Sequence, residues 1–198
     1  PSILEQLDIH SKALRSAGDY PEEDRFYDTV IAFGELLSSL IIADYLTVCG
    51  LGIRWLDARM IIRTDDVFRE ANVDWEITSR QINEQIKDAL DQGMVITQGF
   101  IGATVNGHTT SLGREGSDFS AAILAHCLQA ESVTIWKDVP GILNADPKRF
   151  GSTILYENLS YQEAAEMTYY GASVIHPKTI KPLANQKIQL YVRSFLHP

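Results

Sequence analysis

Apolar residues recur at helical spacing in some segments of the chain and gather in short runs in others. The longest helical pattern covers residues 24–49, with an apolar stripe through Val30, Phe33, Leu37, Leu40 and Ile41. Further helical patterns cover residues 3–17, 78–90, 117–129, 161–170 and 179–185. Short apolar runs typical of buried strands cover residues 53–57, 59–64, 94–102, 133–136 and 188–192.

Two helix starts depend on single hydroxyl residues. Thr78 and Ser117 each precede a helical pattern, and a hydroxyl at that place commonly accepts a hydrogen bond from the first turn. We therefore expect Thr78 and Ser117 to be N-caps. The polar stretch 103–116, which directly precedes Ser117, is expected to be a loop.

Strands that alternate with helices indicate the α/β class, with a mostly parallel sheet covered on both faces. No stretch inside the chain has the composition of a linker. The pattern therefore predicts one domain over residues 1–198, and it shows no repeat.

Charge and hydropathy exclude several kinds of partner. The 17 basic and 26 acidic residues give a net charge of −9, and no basic cluster offsets it, which argues against nucleic acid. The most apolar stretch, 30–48, is interrupted by Gly34, Glu35 and Asp44, so no membrane span is expected. The first residues lack an export signal, which predicts a cytoplasmic location. Without an initial Met, the chain reads as a piece of a longer protein.

A glycine-flanked loop at residues 113–118, Gly-Arg-Glu-Gly-Ser-Asp, leads directly into a helix. The first amides of a helix have no partners within it and can bind an anion, and the planar guanidinium of Arg114 suits a carboxylate or a phosphate. Asp118 in the first turn either complements the helix dipole or orders cationic groups or a magnesium-bound phosphate. From these residues alone, an anion site and an ordinary loop–helix junction are equally supported.

Two other places carry polar residues of interest. Residues 136–148 follow a strand, where ligands bind in open α/β sheets; Lys137 and Lys148 could meet phosphates there, and Asp138 a ribose hydroxyl or a metal. An exposed turn-rich loop explains this segment slightly better. Glu35 lies in an apolar helical pattern beside Gly34 and suits either a polar helix edge or a ligand ammonium group.

Taken together, several motifs resemble aspartokinases. The resemblance runs from about residue 26 to residue 198 and rests on five segments in the family's order: Gly34–Ser38, Val95–Gly102, Thr109–Asp118, Ile135–Gly141 with Asp146-Pro147, and Ala164–Met167 with Tyr170–Pro177. It implies the amino-acid kinase fold, a three-layer α/β/α sandwich. It also implies transfer of the γ-phosphoryl group of ATP, bound with Mg²⁺, to the side-chain carboxylate of L-aspartate. That reaction gives 4-phospho-L-aspartate, the first step toward lysine, threonine and methionine.

The same resemblance implies residue roles. Arg114 would hold the α-carboxylate of aspartate and Glu35 its ammonium group. Ser117 and Asp118 would complete the substrate site, Asp118 by organising lysines that face the transferred phosphoryl group. The nucleotide would be bound by four residues, Lys137, Asp138, Leu143 and Lys148. The full-length protein would be expected to form a homo-oligomer.

The chain departs from the family in three respects. The lysine-bearing Lys-Phe-Gly-Gly-Thr-Ser segment and the C-terminal regulatory ACT domains are absent from residues 1–198, so we expect this fragment to be inactive alone. Lys137 stands where many relatives carry Thr. Ser173 stands where some relatives carry a nucleotide-binding Lys. The alternatives are the kinase half of a bifunctional aspartokinase–homoserine dehydrogenase, another carboxylate or phosphate kinase of the superfamily, and a non-catalytic ligand-binding module. A nicotinamide oxidoreductase is disfavoured because no G-x-G-x-x-G fingerprint occurs.

Overall fold

The computed structural model describes residues 23–145, 149–169 and 174–196, together with Glu5, Asp8, Ile9, Ser11, Lys12 and Arg15. These residues belong to two compact units, Pro1–Ser120 and Ala121–Pro198. The helix predicted at residues 3–17 lies mainly outside the described residues. The single-domain assignment stays a prediction.

The first unit contains most of the secondary structure. Its elements in chain order are α1 (Glu23–Val48), β1 (Ile53–Leu56), α2 (Ala58–Ile61), β2 (Arg63–Thr64), α3 (Trp75–Gln85), α4 (Lys87–Leu90), β3 (Met94–Thr97), β4 (Ile101–Thr104) and β5 (Thr109–Ser111). The helix α5 (Gly116–Leu128) contains the boundary between the units. The elements of the second unit that follow it are β6 (Ser132–Lys137), α6 (Tyr161–Tyr169), α7 (Pro177–Gln186) and β7 (Gln189–Ser194).

Among the described strands, parallel pairing predominates. β1 pairs with β3, β2 with β4 and β6 with β7 in parallel, whereas β4 and β5 are antiparallel. Parallel neighbours need a crossover between them, and helices supply it here; α6 and α7, for example, lie between β6 and β7 in the chain. The mostly parallel α/β arrangement predicted from the sequence is thus present within each unit.

Three local predictions are wrong. The run 59–64 is not a single strand, because Asp57 accepts a hydrogen bond from the Arg59 amide at 2.9 Å and starts the helical turn α2. The stretch 103–116 is not all loop, since it contains the end of β4 and the whole of β5. The apolar run 94–102 is interrupted at Gln98, which separates β3 from β4.

Thr78 is not an N-cap. The helix α3 begins at Trp75, and the side chain of Asp74 accepts a hydrogen bond from the Ile77 amide at 3.0 Å. Thr78 is fully buried one turn later, and its hydroxyl oxygen accepts a hydrogen bond from the Arg63 amide at 3.0 Å. Its hydroxyl therefore ties α3 to β2 instead of starting the helix.

The helix α1 is long and apolar enough to cross a membrane by length and composition, although the sequence pattern predicts no such span. One helix of this kind is weak evidence, because the core helix of a globular protein passes the same test. The buried positions of α1 include Asp28 and Ser39 as well as apolar residues. Both polar side chains are hydrogen-bonded within the first unit, as buried polar groups usually are.

Asp28 is completely buried and joins three parts of the first unit. Its carboxylate accepts hydrogen bonds from the Ser111 amide at 2.9 Å, the Ser111 hydroxyl at 2.7 Å and the Arg69 amide at 2.8 Å. These bonds link α1 to β5 and to the loop between β2 and α3. A buried carboxylate is tolerated only when such donors replace its water.

Removing this carboxylate should destabilise the first unit. We expect Asp28→Ala to lower the free energy of unfolding by about 3 kcal/mol, because the amides of Arg69 and Ser111 would stay buried without their acceptor. Asp44→Ala on an exposed position of the same helix is the control and should change it by less than about 0.5 kcal/mol. Urea unfolding of the two variants measures the difference. Equal stabilities would contradict the assigned role of Asp28.

Candidate active site

The start of α5 forms one wall of a cleft of about 490 Å³ in the first unit. The described residues that line the cleft are Tyr27, Arg69, Phe100, Ser111, Gly113, Arg114, Glu115, Gly116, Ser117 and Asp118. Three residues singled out from the sequence, Arg114, Ser117 and Asp118, therefore lie at one surface. Tyr27 of α1 and Arg69 of the loop between β2 and α3 line the same cleft.

Ser117 is not the N-cap of α5. The helix begins at Gly116, and the carbonyl of Glu115 accepts its first hydrogen bond, from the Phe119 amide at 3.1 Å. Ser117 consequently lies inside the first turn, with an exposed side chain at the cleft. In this position its hydroxyl can meet a ligand directly, and its amide is one of the first helical N–H groups.

The polar groups of this wall can receive an anion. Arg114 is exposed, so its guanidinium can turn toward a bound carboxylate. Asp118 is half-buried, and its Oδ2 atom is shielded from solvent. The N-terminal end of α5 adds the partial positive charge of the helix dipole. The wall therefore combines donors for an anion with one shielded carboxylate.

Unusual backbone conformations concentrate at this cleft. Five described non-glycine residues have positive φ, and three of them line the cleft: Arg69 at 66°, Phe100 at 71° and Glu115 at 55°. Side chains with a Cβ rarely adopt this region, and the conformation costs free energy that the fold must compensate. Residues held in this way cluster at binding and catalytic sites in general.

Two glycines allow α5 to approach the loop that follows β3. A Cβ on Gly116 would lie 2.6 Å from Cδ2 of Phe100, and a Cβ on Gly99 would lie 2.9 Å from Cα of Ser117. The Ser120 hydroxyl accepts a hydrogen bond from the Phe100 amide at 2.9 Å and fixes the same contact. The cleft wall is thus held by close backbone packing that larger residues would prevent.

Glu35 is not among the described residues that line this cleft. It follows Asp28 by two helical turns on α1, and so lies on the face of the helix that also carries Asp28. Burial raises the pKa of the Glu35 carboxyl above its usual value. A Cβ on the neighbouring Gly34 would touch nothing within 4 Å, so the helix surface at Gly34 is open.

The predicted nucleotide residues lie in the second unit. Lys137 ends β6, where it pairs with Ser194, and the exposed Asp138 follows it. Leu143 forms an antiparallel bridge with Leu155 in a separate part of the same loop. Lys148 lies outside the described residues.

The second unit has its own cleft of about 550 Å³. Its described lining is mainly apolar and comes from residues 140–142, 155–159 and 187–192, together with single residues of α6, α7 and the segment before α7. Lys137, Asp138 and Leu143 are not part of that described lining. The structure places Lys137 beside Asp138 but does not gather the nucleotide candidates around this cleft.

Sequence reasoning missed Tyr27 and Arg69, which line the first cleft, and the buried Asp28, which contacts it. Asp28 contacts the cleft residue Ser111 from 83 positions away in the chain. Arg69 lies in the polar stretch 65–76, which shows no helical or strand pattern. The sequence held one signal of these contacts: Asp28 is an acidic residue inside an apolar helical pattern, and a buried charge requires partners.

Comparison with known proteins places these features in a wider group. Residues 3–194 match the amino acid kinase family. The chain is 37% identical over 98% of its length to lysine-sensitive aspartokinase 3 of Escherichia coli, and covers 43% of it. It is 35% identical over 98% of its length to the chloroplastic bifunctional aspartokinase/homoserine dehydrogenase 2 of Arabidopsis thaliana, and covers 21% of it.

A solved structure gives the same result. The crystal structure of E. coli aspartokinase III in complex with aspartate and ADP, in its R-state, superposes with a TM-score of 0.89 at 35% identity. The match covers 97% of this chain and 44% of that one. The chain therefore spans less than half the length of these relatives.

The close packing at the cleft can be tested with two helical glycines. We expect Gly116→Ala to destabilise the protein by about 1–3 kcal/mol, because the new methyl group would overlap the Phe100 ring. Gly34→Ala is the matched control in α1 and should stabilise by up to about 1 kcal/mol, since alanine favours a helix and the space is empty. Thermal unfolding measures both. A Gly116→Ala variant as stable as Gly34→Ala would contradict the packing described here.

Proposed function

The chain belongs to the amino acid kinase family, and on that premise we propose that it carries part of an aspartate kinase, which phosphorylates the side-chain carboxylate of L-aspartate with ATP. The predicted α/β class and amino-acid kinase fold are confirmed by the match to the family and to the E. coli structure. The observation that carries the proposal is the cleft at the start of α5, where Arg114, Ser117 and Asp118 converge.

The proposed reaction needs positioning more than acid–base chemistry. An ionised carboxylate oxygen of aspartate forms a bond to the γ-phosphorus of ATP, the bond from that phosphorus to the β,γ-bridging oxygen breaks, and ADP leaves with the electron pair. The product is 4-phospho-L-aspartate. Because an aspartate side chain is already ionised at neutral pH, no general base has to remove a proton. The protein therefore contributes alignment and charge neutralisation.

In this proposal, the first unit binds the amino acid. Arg114 holds the α-carboxylate through its planar guanidinium, and the hydroxyl and amide of Ser117 complete the anion site. Asp118 organises the cations that face the transferred phosphoryl group, a role that suits its half-buried carboxylate. Glu35 binds the ammonium group. Because burial raises its pKa, Glu35 carries the required negative charge only above that raised value.

The nucleotide is proposed to lie against the second unit, at Lys137 and Asp138, with contributions from Leu143 and Lys148. The carboxyl end of a parallel strand such as β6 is the usual place for a ligand in α/β proteins. Lys137 would supply positive charge toward the phosphates.

Magnesium would enter with ATP. Among the described residues, no group of three or more His, Cys, Asp or Glu side chains converges on a point. Mg²⁺ usually keeps several waters and binds phosphate oxygens with one or two carboxylates, so the exposed Asp138 fits this mode of binding. When bound, the ion would neutralise charge on the β- and γ-phosphates.

Several wider properties belong to the same proposal: a single kinase domain over residues 1–198 of a longer protein, a homo-oligomeric and cytoplasmic parent, and small molecules as its only substrates. The bifunctional relatives favour a second form of the proposal, in which the same kinase is joined to a homoserine dehydrogenase. The phosphoryl transfer would be identical in both.

Arg114 gives the most direct test of the proposed function. We expect the full-length gene product to form an acyl phosphate from L-aspartate and ATP, which hydroxylamine traps as a hydroxamate. Arg114→Ala should lower kcat/KM for aspartate at least about a hundredfold, or ~2.7 kcal/mol. Arg114→Lys should be nearly as harmful, since lysine keeps the charge but loses the bidentate fork.

The Michaelis constant for ATP and the activity of Arg54→Ala, an exposed arginine of β1, serve as controls and should change less than about twofold. No hydroxamate from the wild-type protein would refute the proposed function and favour a non-catalytic module. Hydroxamate formation with a near-normal Arg114→Lys variant would keep the function but remove Arg114 from the substrate site.

A further inference from the structure

The cleft contains a second arginine that the proposed function does not use. Arg69 lines it together with Arg114, although the two residues come from different loops of the first unit. Two guanidinium groups in one cleft can hold two carboxylates. An amino acid with two carboxylates is the substrate class that such a cleft matches.

Three residues in the first turns of α1 contact Arg69. Its Nε atom is 2.6 Å from Oδ1 of Asp24, and its guanidinium carbon lies 4.5 Å from the centre of the Tyr27 ring. Its amide donates to the buried Asp28 carboxylate at 2.8 Å. The three α1 residues lie on one face of the helix, so together they fix both the backbone and the side chain of Arg69.

Stability alone does not explain this arrangement. The side chains of Arg69 and Asp24 are 48% and 58% exposed, and an ion pair so exposed to water contributes little to folding. The φ angle of Arg69 is 66°, a conformation in which glycine would be free of strain and arginine is not. An arginine that costs conformational energy and returns little stability is better explained by what its side chain binds.

We propose that Arg69 is a specificity-determining residue that binds the carboxylate of the amino acid not held by Arg114. Asp24 takes up the Nε–H of Arg69, and the structure gives the η nitrogens no partner among the described residues. These nitrogens remain for the substrate, and the Tyr27 ring keeps the guanidinium plane fixed. The cleft thereby selects dicarboxylic amino acids. This inference rests on the proposed function.

The left-handed backbone at Arg69 provides a test that separates binding from folding. Arg69→Gly removes the guanidinium and relieves the backbone strain, so the variant should be at least as stable as wild type in thermal unfolding. In the full-length gene product, its KM for L-aspartate should rise at least tenfold while the KM for ATP stays within twofold. Arg69→Gln should give the same kinetics. Arg80→Gln, an exposed arginine of α3, is the control and should match wild type.

The outcomes distinguish this inference from the proposed function. A wild-type protein that phosphorylates aspartate, with Arg69→Gly and Arg69→Gln within twofold of its aspartate KM, would overturn the role of Arg69 and leave the function standing. Marked destabilisation of Arg69→Gly would also overturn it, because Arg69 would then be structural. A wild-type protein without aspartate kinase activity would overturn both.

Discussion

The buried carboxylate of Asp28 is the interaction on which the candidate site depends. It takes hydrogen bonds from Ser111 on β5 and from the amide of Arg69, while α1 carries it into the core. Each of these three segments, which are far apart in sequence, contributes a residue to the cleft: Tyr27, Ser111 and Arg69. A charge buried without water must keep its donors, so the three segments can separate only at a high energetic cost. The geometry of the cleft follows from that requirement.

The second constraint is steric. Gly99 and Gly116 let the loop after β3 contact the first turn of α5, and Phe100 reaches the cleft with a positive φ angle. The result is a site made largely of backbone and held by rigid elements, on which Arg114 and Ser117 are exposed. A rigid site of this kind suits a reaction that places two anions against each other, because fixed dipoles and guanidinium groups need no rearrangement when charge develops.

Periodicity predicted the elements whose side chains divide cleanly into apolar and polar. The long helix α1, the strand β6 and the helix α6 lie within one or two residues of their predicted bounds. It failed for β5, because Thr109, Thr110 and Ser111 look like a loop in sequence. Their side chains are nevertheless buried, and Thr110 bonds to Thr64 at 2.8 Å. Long-range hydrogen bonds, which a local pattern cannot reveal, convert these polar residues into a core strand.

The site residues likewise include some that a local motif predicts and others that only long-range contacts bring together. Arg114, Ser117 and Asp118 are adjacent in the chain, so one motif was enough to predict that they meet. Arg69 and Tyr27 come together only through the fold, because the contacts of Arg69 with α1 span more than 40 residues. That Glu35 binds the same substrate remains a prediction from the resemblance to aspartokinases. The same is true of nucleotide binding by the candidate residues of the second unit.

Nuclear magnetic resonance of the ¹⁵N-labelled 198-residue chain, titrated with L-aspartate to millimolar concentrations, tests the central claim most directly. Arg69, Arg114, Ser117 and Asp118 all lie in the first unit, so the chain should bind the amino acid without any other part of its parent. The account predicts that the largest shifts occur at the amides of residues 113–118 and of Arg69, with Arg54 and Arg80 unchanged. Shifts centred elsewhere, or none at all, would contradict it.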